Sequence, residues 1–310
     1  MTQKTGTGKY EAILERCRSL EPIPTAVAHP CEATALQGAI DAGEAGLIVP
    51  ILVGPEAAIK KVAADAGIAL GNTRIVDAKH SHDSAAKAVA LVRSGEAELL
   101  MKGSLHTDEL LGAVIARETG LRTGRRLSHV FIMDVPTYHK ALIVTDAAIN
   151  IAPTLEDKVD ICQNAIDLAV SLGREKPKVA ILAAVETVNS KMVATIDAAA
   201  LCKMAERGQI TKGELDGPLA FDNAINKDAA KTKGILSAVA GDPDILLAPD
   251  LEAGNILAKL LSFLANADSA GIVLGARVPI ILTSRADSVR SRIASCAVAV
   301  MAAHAKRRQP

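Results

Sequence analysis

Leu47-Ile48-Val49-Pro50-Ile51-Leu52-Val53-Gly54 runs directly into Pro55-Glu56-Ala57-Ala58-Ile59-Lys60-Lys61-Val62-Ala63-Ala64-Asp65-Ala66, and Gly67 follows. The first block is short, apolar and rich in β-branched residues, the pattern of a buried strand. The second reads as a helix entered through proline and closed by glycine. The same strand-then-helix unit recurs on both sides. Strands are expected over 25–29, 47–54, 73–78 and 98–103, and helices over 32–43, 55–66, 83–94 and 107–118. Glycines 46, 54, 67, 95 and 103 punctuate the turns. This order predicts an α/β chain with a parallel, doubly wound sheet.

The pattern changes at the polar, basic segment 120–126. Two strands, 129–135 and 140–146, are separated by only Pro136-Thr137-Tyr138-His139, too short a gap for a crossover helix. They predict an antiparallel hairpin that opens a second α/β unit. That unit is expected to continue with a helix (155–171), a strand (178–185), an Ala-rich helix (190–207), a strand (244–249) and a helix (253–265). Two last strands (271–275 and 279–282) and a final helix read as a return to the first domain. The expected division is therefore 1–122 with 273–310 as one discontinuous domain and 123–272 as an insertion. A cleft between two such domains is the expected ligand site.

Composition narrows the function. Hydrophobic residues make up 49% of the 310, aromatics only 2%, and tryptophan is absent, so the core must be built from Ala, Val, Ile and Leu. The 35 basic and 35 acidic residues cancel, leaving no basic excess for nucleic acid and no aromatic platform for stacking bases. The cysteines at 17, 31, 162, 202 and 296 are scattered without a CxxC pair, which suits neither a disulfide framework nor a zinc site. No apolar run reaches the roughly 18 residues of a membrane span, and the N-terminus lacks an apolar signal core. A reducing cytoplasm is the expected compartment.

Chemistry is expected where strands end. Val278-Pro279-Ile280-Ile281-Leu282-Thr283-Ser284-Arg285-Ala286-Asp287 is a buried-strand pattern stopped by polar residues. A helical stripe of Val289, Ile293, Cys296, Ala297, Val300 and Met301 follows it. Such a junction offers free N–H groups and a positive dipole end to an anion. The same residues also fit a capping box, with Ser284 as cap and Asp287 reaching back. Lys102, Ser104, His106 and Thr107 lie at another strand-to-helix junction, where Lys102 would meet phosphate as a point charge. Asp250, with Gly254 and Asn255 behind it, opens a further helix; there the small residues would let a large ligand approach the backbone. His80-Ser81-His82 is a solvated loop rather than a metal site, and no GxSxG elbow supports a serine triad.

Several blocks together resemble one family. They are Lys102-Gly103-Ser104-Leu105-His106-Thr107, Asp146-Ala147-Ala148-Ile149-Asn150 with Pro153-Thr154, and Gly217-Pro218-Leu219-Ala220-Phe221-Asp222. Pro249-Asp250-Leu251-Glu252-Ala253-Gly254-Asn255 and Val278-Pro279 with Leu282-Thr283-Ser284-Arg285 complete the set. In this order they are similar to the phosphate acetyltransferase/phosphate butyryltransferase family. The resemblance implies two α/β domains of the isocitrate/isopropylmalate-dehydrogenase-like type, a homodimer, and exchange of an acyl group between CoA and inorganic phosphate. CoA is a substrate, and no metal or redox cofactor is expected.

Carried over by position, Ser284 is the serine beside the CoA thiol and Arg285 the adjacent phosphate-binding arginine. The aspartate that acetyltransferases place seven residues after the serine is replaced by Ser291; Asp287, which resembles the butyryl-type branch, is the nearest carboxylate, and it or a residue brought by the second domain is expected to accept the thiol's proton. An arginine of the acetyltransferases falls on Leu111, with Lys102 as the candidate replacement. Acetyl transfer is the first expectation and butyryl transfer the alternative. A non-catalytic acyl-CoA-sensing module is the alternative of another class, since this fold also occurs as a regulatory domain fused to malic enzymes.

Overall fold

The computed structural model describes residues 8–283 and 287–308. The chain begins with α1 (Lys9–Cys17), β1 (Ile23–Ala28), α2 (Ala33–Glu44), β2 (Ile48–Gly54), α3 (Glu56–Ala66), β3 (Arg74–Asp77), α4 (Ser81–Arg93), β4 (Leu99–Lys102) and α5 (Thr107–Ile115). It continues with β5 (Ser128–Asp134), β6 (Leu142–Thr145), α6 (Leu155–Ser171), β7 (Lys178–Leu182), α7 (Val193–Glu206), β8 (Glu214–Leu219), α8 (Phe221–Ile225), α9 (Lys227–Thr232), β9 (Ile245–Leu247) and α10 (Leu251–Phe263). It closes with β10 (Asp268–Leu274), β11 (Ile280–Ile281) and α11 (Val289–Arg307). Two compact units emerge: Tyr10–Arg125 joined by the described residues from Ala270 onward, and Arg126–Ser269 with Lys9.

In the unit that contains the first strands, the order is β3-β2-β1-β4-β11-β10. The pairs from β3 to β11 are parallel, and β10 runs antiparallel to β11. The chain steps outward from β1 to β2 to β3, then α4 carries it back to place β4 on the other side of β1. Right-handed crossovers of opposite direction put their helices on opposite faces. Accordingly α2 packs with α3 and α11, whereas α4 packs with α5. The strand order thus reverses between β1 and β4, the place where open α/β sheets gather ligands at their carboxyl edge.

The helix α11 explains the small-residue composition. Ala294, Cys296, Ala297, Val298, Ala299, Val300 and Ala303 are all buried, so the helix is enclosed on nearly every side, and short side chains permit the close approach. Its N-cap is Ser288, whose side chain accepts the N–H of Ser291. The capping box expected at Ser284 is therefore corrected: Asp287 precedes the cap and does not occupy its third position.

The other unit has the order β5-β6-β9-β7-β8, with the β5–β6 hairpin antiparallel as expected and the remaining pairs parallel. Its core joins Met133, Val144, Ala180, Leu182, Leu246 and Leu261. β8, α8 and α9 are additions to the elements read from sequence. Asp216-Gly217-Pro218 reads as a turn, yet it lies in β8, the terminal strand of that unit's order. An edge strand tolerates proline because one side of its backbone need not pair.

Candidate active site

The register of β1, β4 and β11 sets Ala28 against Lys102, and Val27 against Met101 and in turn Ile281. Residues just beyond these strands consequently share one edge, where neighbouring strands lie about 4.8 Å apart. His29 N donates to Val53 O at 2.7 Å, and Gly103 N donates to Ala28 O at 2.8 Å. Ser104 closes the edge: its hydroxyl donates to His29 O at 2.7 Å and accepts from Cys31 N at 3.1 Å. The hydroxyl expected to bind substrate is thus committed to joining the loop after β1 to the loop after β4.

Gly103 shows how tight that junction is. A Cβ there would sit 2.3 Å from Ala28 O and 2.6 Å from His29 O, inside any permitted contact, so the two loops pack backbone to backbone. Lys102 is half-buried and its Nζ lies 3.3 Å from Gly103 O. His106 is the N-cap residue of α5, exposed and without a side-chain capping bond, and Thr107 is the first helical residue. Lys102, His106 and Thr107 border the same loop.

Behind the edge lies a hydrogen-bond chain that begins with His29. This residue has φ +56°, in the left-handed region that few side chains other than Asn, Asp or His enter. Its Nδ1 lies 3.0 Å from Ser84 Oγ, and that hydroxyl in turn donates to His80 O at 2.9 Å. His80 also caps α4, accepting the N–H of Asp83 through Nδ1 at 3.3 Å; His80 and His82 are both exposed, as expected, but they form a helix start rather than a loop. Burial lowers the His29 pKa below the usual imidazole value, opposed by the carboxylates of Glu109 and Glu32.

Three further candidates fall in the other unit. Asp250 caps α10 by accepting the N–H of Ala253 at 2.8 Å. A Cβ on Gly254 would lie 2.2 Å from Asp146 O, and Asn255 Nδ2 donates to Ala147 O at 2.9 Å. What approaches this small-residue helix start is the chain's own 146–150 loop. That loop is held by the buried Asp146 carboxylate, which accepts N–H groups from Ala148, Ile149 and Asn150 and the Asn150 amide at 2.5 Å. Asn150 also accepts from Arg126 Nε at 2.7 Å.

Among the described residues, Lys102, Ser104, His106 and Thr107 thus form one group around β4, and Asp250, Gly254 and Asn255 another around α10, on different units. Ser284 and Arg285 lie outside the described residues. Asp287 is half-buried, one position before the cap of α11, and Ser291 is buried within that cap.

His29, Ser84 and Glu109 belong to no motif and show no metal-ligand spacing, so residue type alone does not single them out. The usable signal was positional: His29 ends the strand that the topology makes central.

The cysteines contribute a negative electrostatic fact. Burial pushes Cys17 and Cys31 up to about 11, Cys202 and Cys296 up to about 12, and Cys162 higher still. Thiols so protonated at neutral pH are poor nucleophiles, which disfavours a covalent acyl-cysteine.

Comparison with known proteins completes the description. The profile of the family described as phosphate acetyl/butaryl transferase matches residues 78–300. A phosphate acetyltransferase of Rhizobium meliloti is 65% identical over 299 residues, covering 96% of this chain and 95% of the relative. A phosphate butyryltransferase of Clostridium acetobutylicum is 39% identical over 294 residues, covering 95% and 98%. Among solved structures, a branched-chain phosphotransacylase from Enterococcus faecalis V583 superimposes with a TM-score of 0.79 at 30% identity, covering 91% of this chain and 99% of that one.

Proposed function

The chain belongs to the phosphate acetyl/butaryl transferase family, and from that membership we propose that it is a phosphate acetyltransferase, converting acetyl-CoA and phosphate into acetyl phosphate and CoA and the reverse. One observation carries the acetyl preference: the identity of 65% to an acetyltransferase against 39% to a butyryltransferase, each over nearly the whole chain. The architecture agrees in kind, since the sheet edge at the β1–β4 reversal carries a lysine, a histidine and a helix start suited to an anion.

In this reading the CoA sulfur attacks the acyl carbon directly, within a ternary complex. Ser284 hydrogen-bonds the thiol and the developing oxyanion, and Arg285 holds the phosphoryl group. Lys102, His106 and Thr107 supply further anion contacts, while Ser104 keeps the edge in shape. Asp250, Gly254 and Asn255 support the CoA-binding surface of their own unit by fixing its 146–150 loop. Asp287 stands as a candidate acceptor for the thiol's proton. Acyl exchange involves no redox change, so the proposal contains no redox cofactor, and it assigns no step to a metal. It includes small-molecule partners only, a homodimer and a cytoplasmic setting; no helix among the described residues is long and apolar enough to cross a membrane.

The test is thioester formation from acetyl phosphate and CoA by the purified protein. Ser284→Ala should lower kcat by about 10²-fold, the usual cost of removing an oxyanion donor. A near wild-type kcat would remove Ser284 from the mechanism.

A further inference from the structure

The hydrogen-bond chain behind His29 fixes more than a ring position. Ser84 Oγ has one proton, and it is donated to His80 O at 2.9 Å. Toward His29, 3.0 Å away, that oxygen can only accept, so the imidazole must present its proton on Nδ1. The neutral ring then carries its lone pair on Nε2. Among the described residues Nε2 has no hydrogen-bond partner. The arrangement is that of a base whose tautomer is set by a third group, with a hydroxyl in the orienting position.

Three further observations bear on the same ring. It sits at the carboxyl end of β1, beside the Lys102-Gly103-Ser104 loop and at the reversal of strand order. The left-handed φ of +56° at a non-glycine residue is a local cost of the kind retained at working sites. And Glu109 of α5, whose charge acts on this imidazole, has a buried Oε2 without a hydrogen-bond partner among the described residues. A carboxylate so placed stabilises an imidazolium once it forms.

We infer that His29 Nε2 is the proton acceptor for the CoA thiol, in preference to Asp287. The inference rests on the acetyltransferase reading above. In the step, the S–H proton passes to Nε2 and the sulfur forms a bond to the acyl carbon. The bond from that carbon to the phosphate oxygen breaks, its electron pair leaving on phosphate. The imidazolium then returns its proton to phosphate or water. Burial favours the neutral ring, and the titratable groups that act on it are Glu109 on α5, Glu32 after β1 and His80 before α4.

The experiment is the pH profile of kcat for acetyl phosphate plus CoA in the wild type, His29→Asn and Ser84→Ala. Asparagine accepts the left-handed backbone but takes no proton. The expected results are an acid limb in the wild type with its midpoint below the ordinary imidazole value, and a loss of about 10²-fold or more in kcat for His29→Asn. The Michaelis constants should change less than threefold, and the acid limb should vanish in the variant. Ser84→Ala, which frees the ring to change tautomer, should lose part of the rate while keeping the limb. If His29→Asn does not fold, a wild-type profile without that limb, or Ser84→Ala with wild-type kcat, overturns the assignment. So does a folded His29→Asn with the wild-type rate and profile. A wild type that forms no thioester at any pH overturns the acetyltransferase reading itself.

Discussion

Gly103 and His129 mark two opposite uses of buried space. At Gly103 the missing side chain is the feature, because backbone oxygens of Ala28 and His29 occupy the place of a Cβ at 2.3 and 2.6 Å. Backbone cannot rotate away as a side chain can. Gly103→Ala should therefore cost about 1–3 kcal/mol of unfolding free energy, measured by denaturant, and lower kcat as the edge spreads. His129 is fully buried, neither ring nitrogen has a hydrogen-bond partner among the described residues, and its ring lies edge-on to Phe131 at a centroid distance of 4.4 Å. Burial lowers its pKa, with Asp146 only partly opposing. The folded chain then takes this proton less readily than the unfolded one. Stability is present above the ordinary imidazole range and is lost as pH falls below about 6.5, at up to ~1.4 kcal/mol per unit for the one group. His129→Leu should flatten the fall in unfolding free energy between neutral and mildly acidic pH. An unchanged slope would place the acid sensitivity elsewhere.

Among the elements, α11 separates what sequence conveys from what it does not. The helix was legible from the spacing of Val289, Ile293, Cys296, Ala297 and Val300, but not its burial: Val289 is exposed, Ile293 half-buried, and the rest is enclosed on nearly every side. Nor was its start legible, because Ser284 and Ser288 are both good caps and only the fold decides between them. With Ser288 as the observed cap, Ser288→Ala should cost about 1 kcal/mol in chemical unfolding, and Ser284→Ala should cost almost none. The reverse order would return the helix start to Ser284. The hairpin of β5 and β6 was readable for a firmer reason, namely that four residues cannot hold a crossover helix. β8 hid because Gly217-Pro218 is turn chemistry, and its edge position is a tertiary fact. His29 was likewise readable only in part. The residue and its strand are evident, whereas its Ser84 partner lies 55 positions away, brought near by α4 packing over β1.

For the whole molecule, alternation of strand and helix indicates the doubly wound order, and the order indicates the edge at which chemistry belongs. The family resemblance then supplies the reaction that local patterns leave open, since caps and anion sites use the same residues at helix starts. Acyl preference is set by pocket shape, which neither periodicity nor spacing encodes, and one methylene in an apolar pocket changes selectivity only about 10–200-fold. At this scale the chain's activity is the formation of acetyl-CoA from acetyl phosphate. The most direct measurement is kcat/KM for thioester formation with CoA across acetyl, propionyl and butyryl phosphate. Turnover is expected with all three, greatest for acetyl phosphate and at least about tenfold lower for butyryl phosphate. Turnover greatest for butyryl phosphate, or binding of acetyl-CoA without turnover of any acyl phosphate, would contradict this assignment.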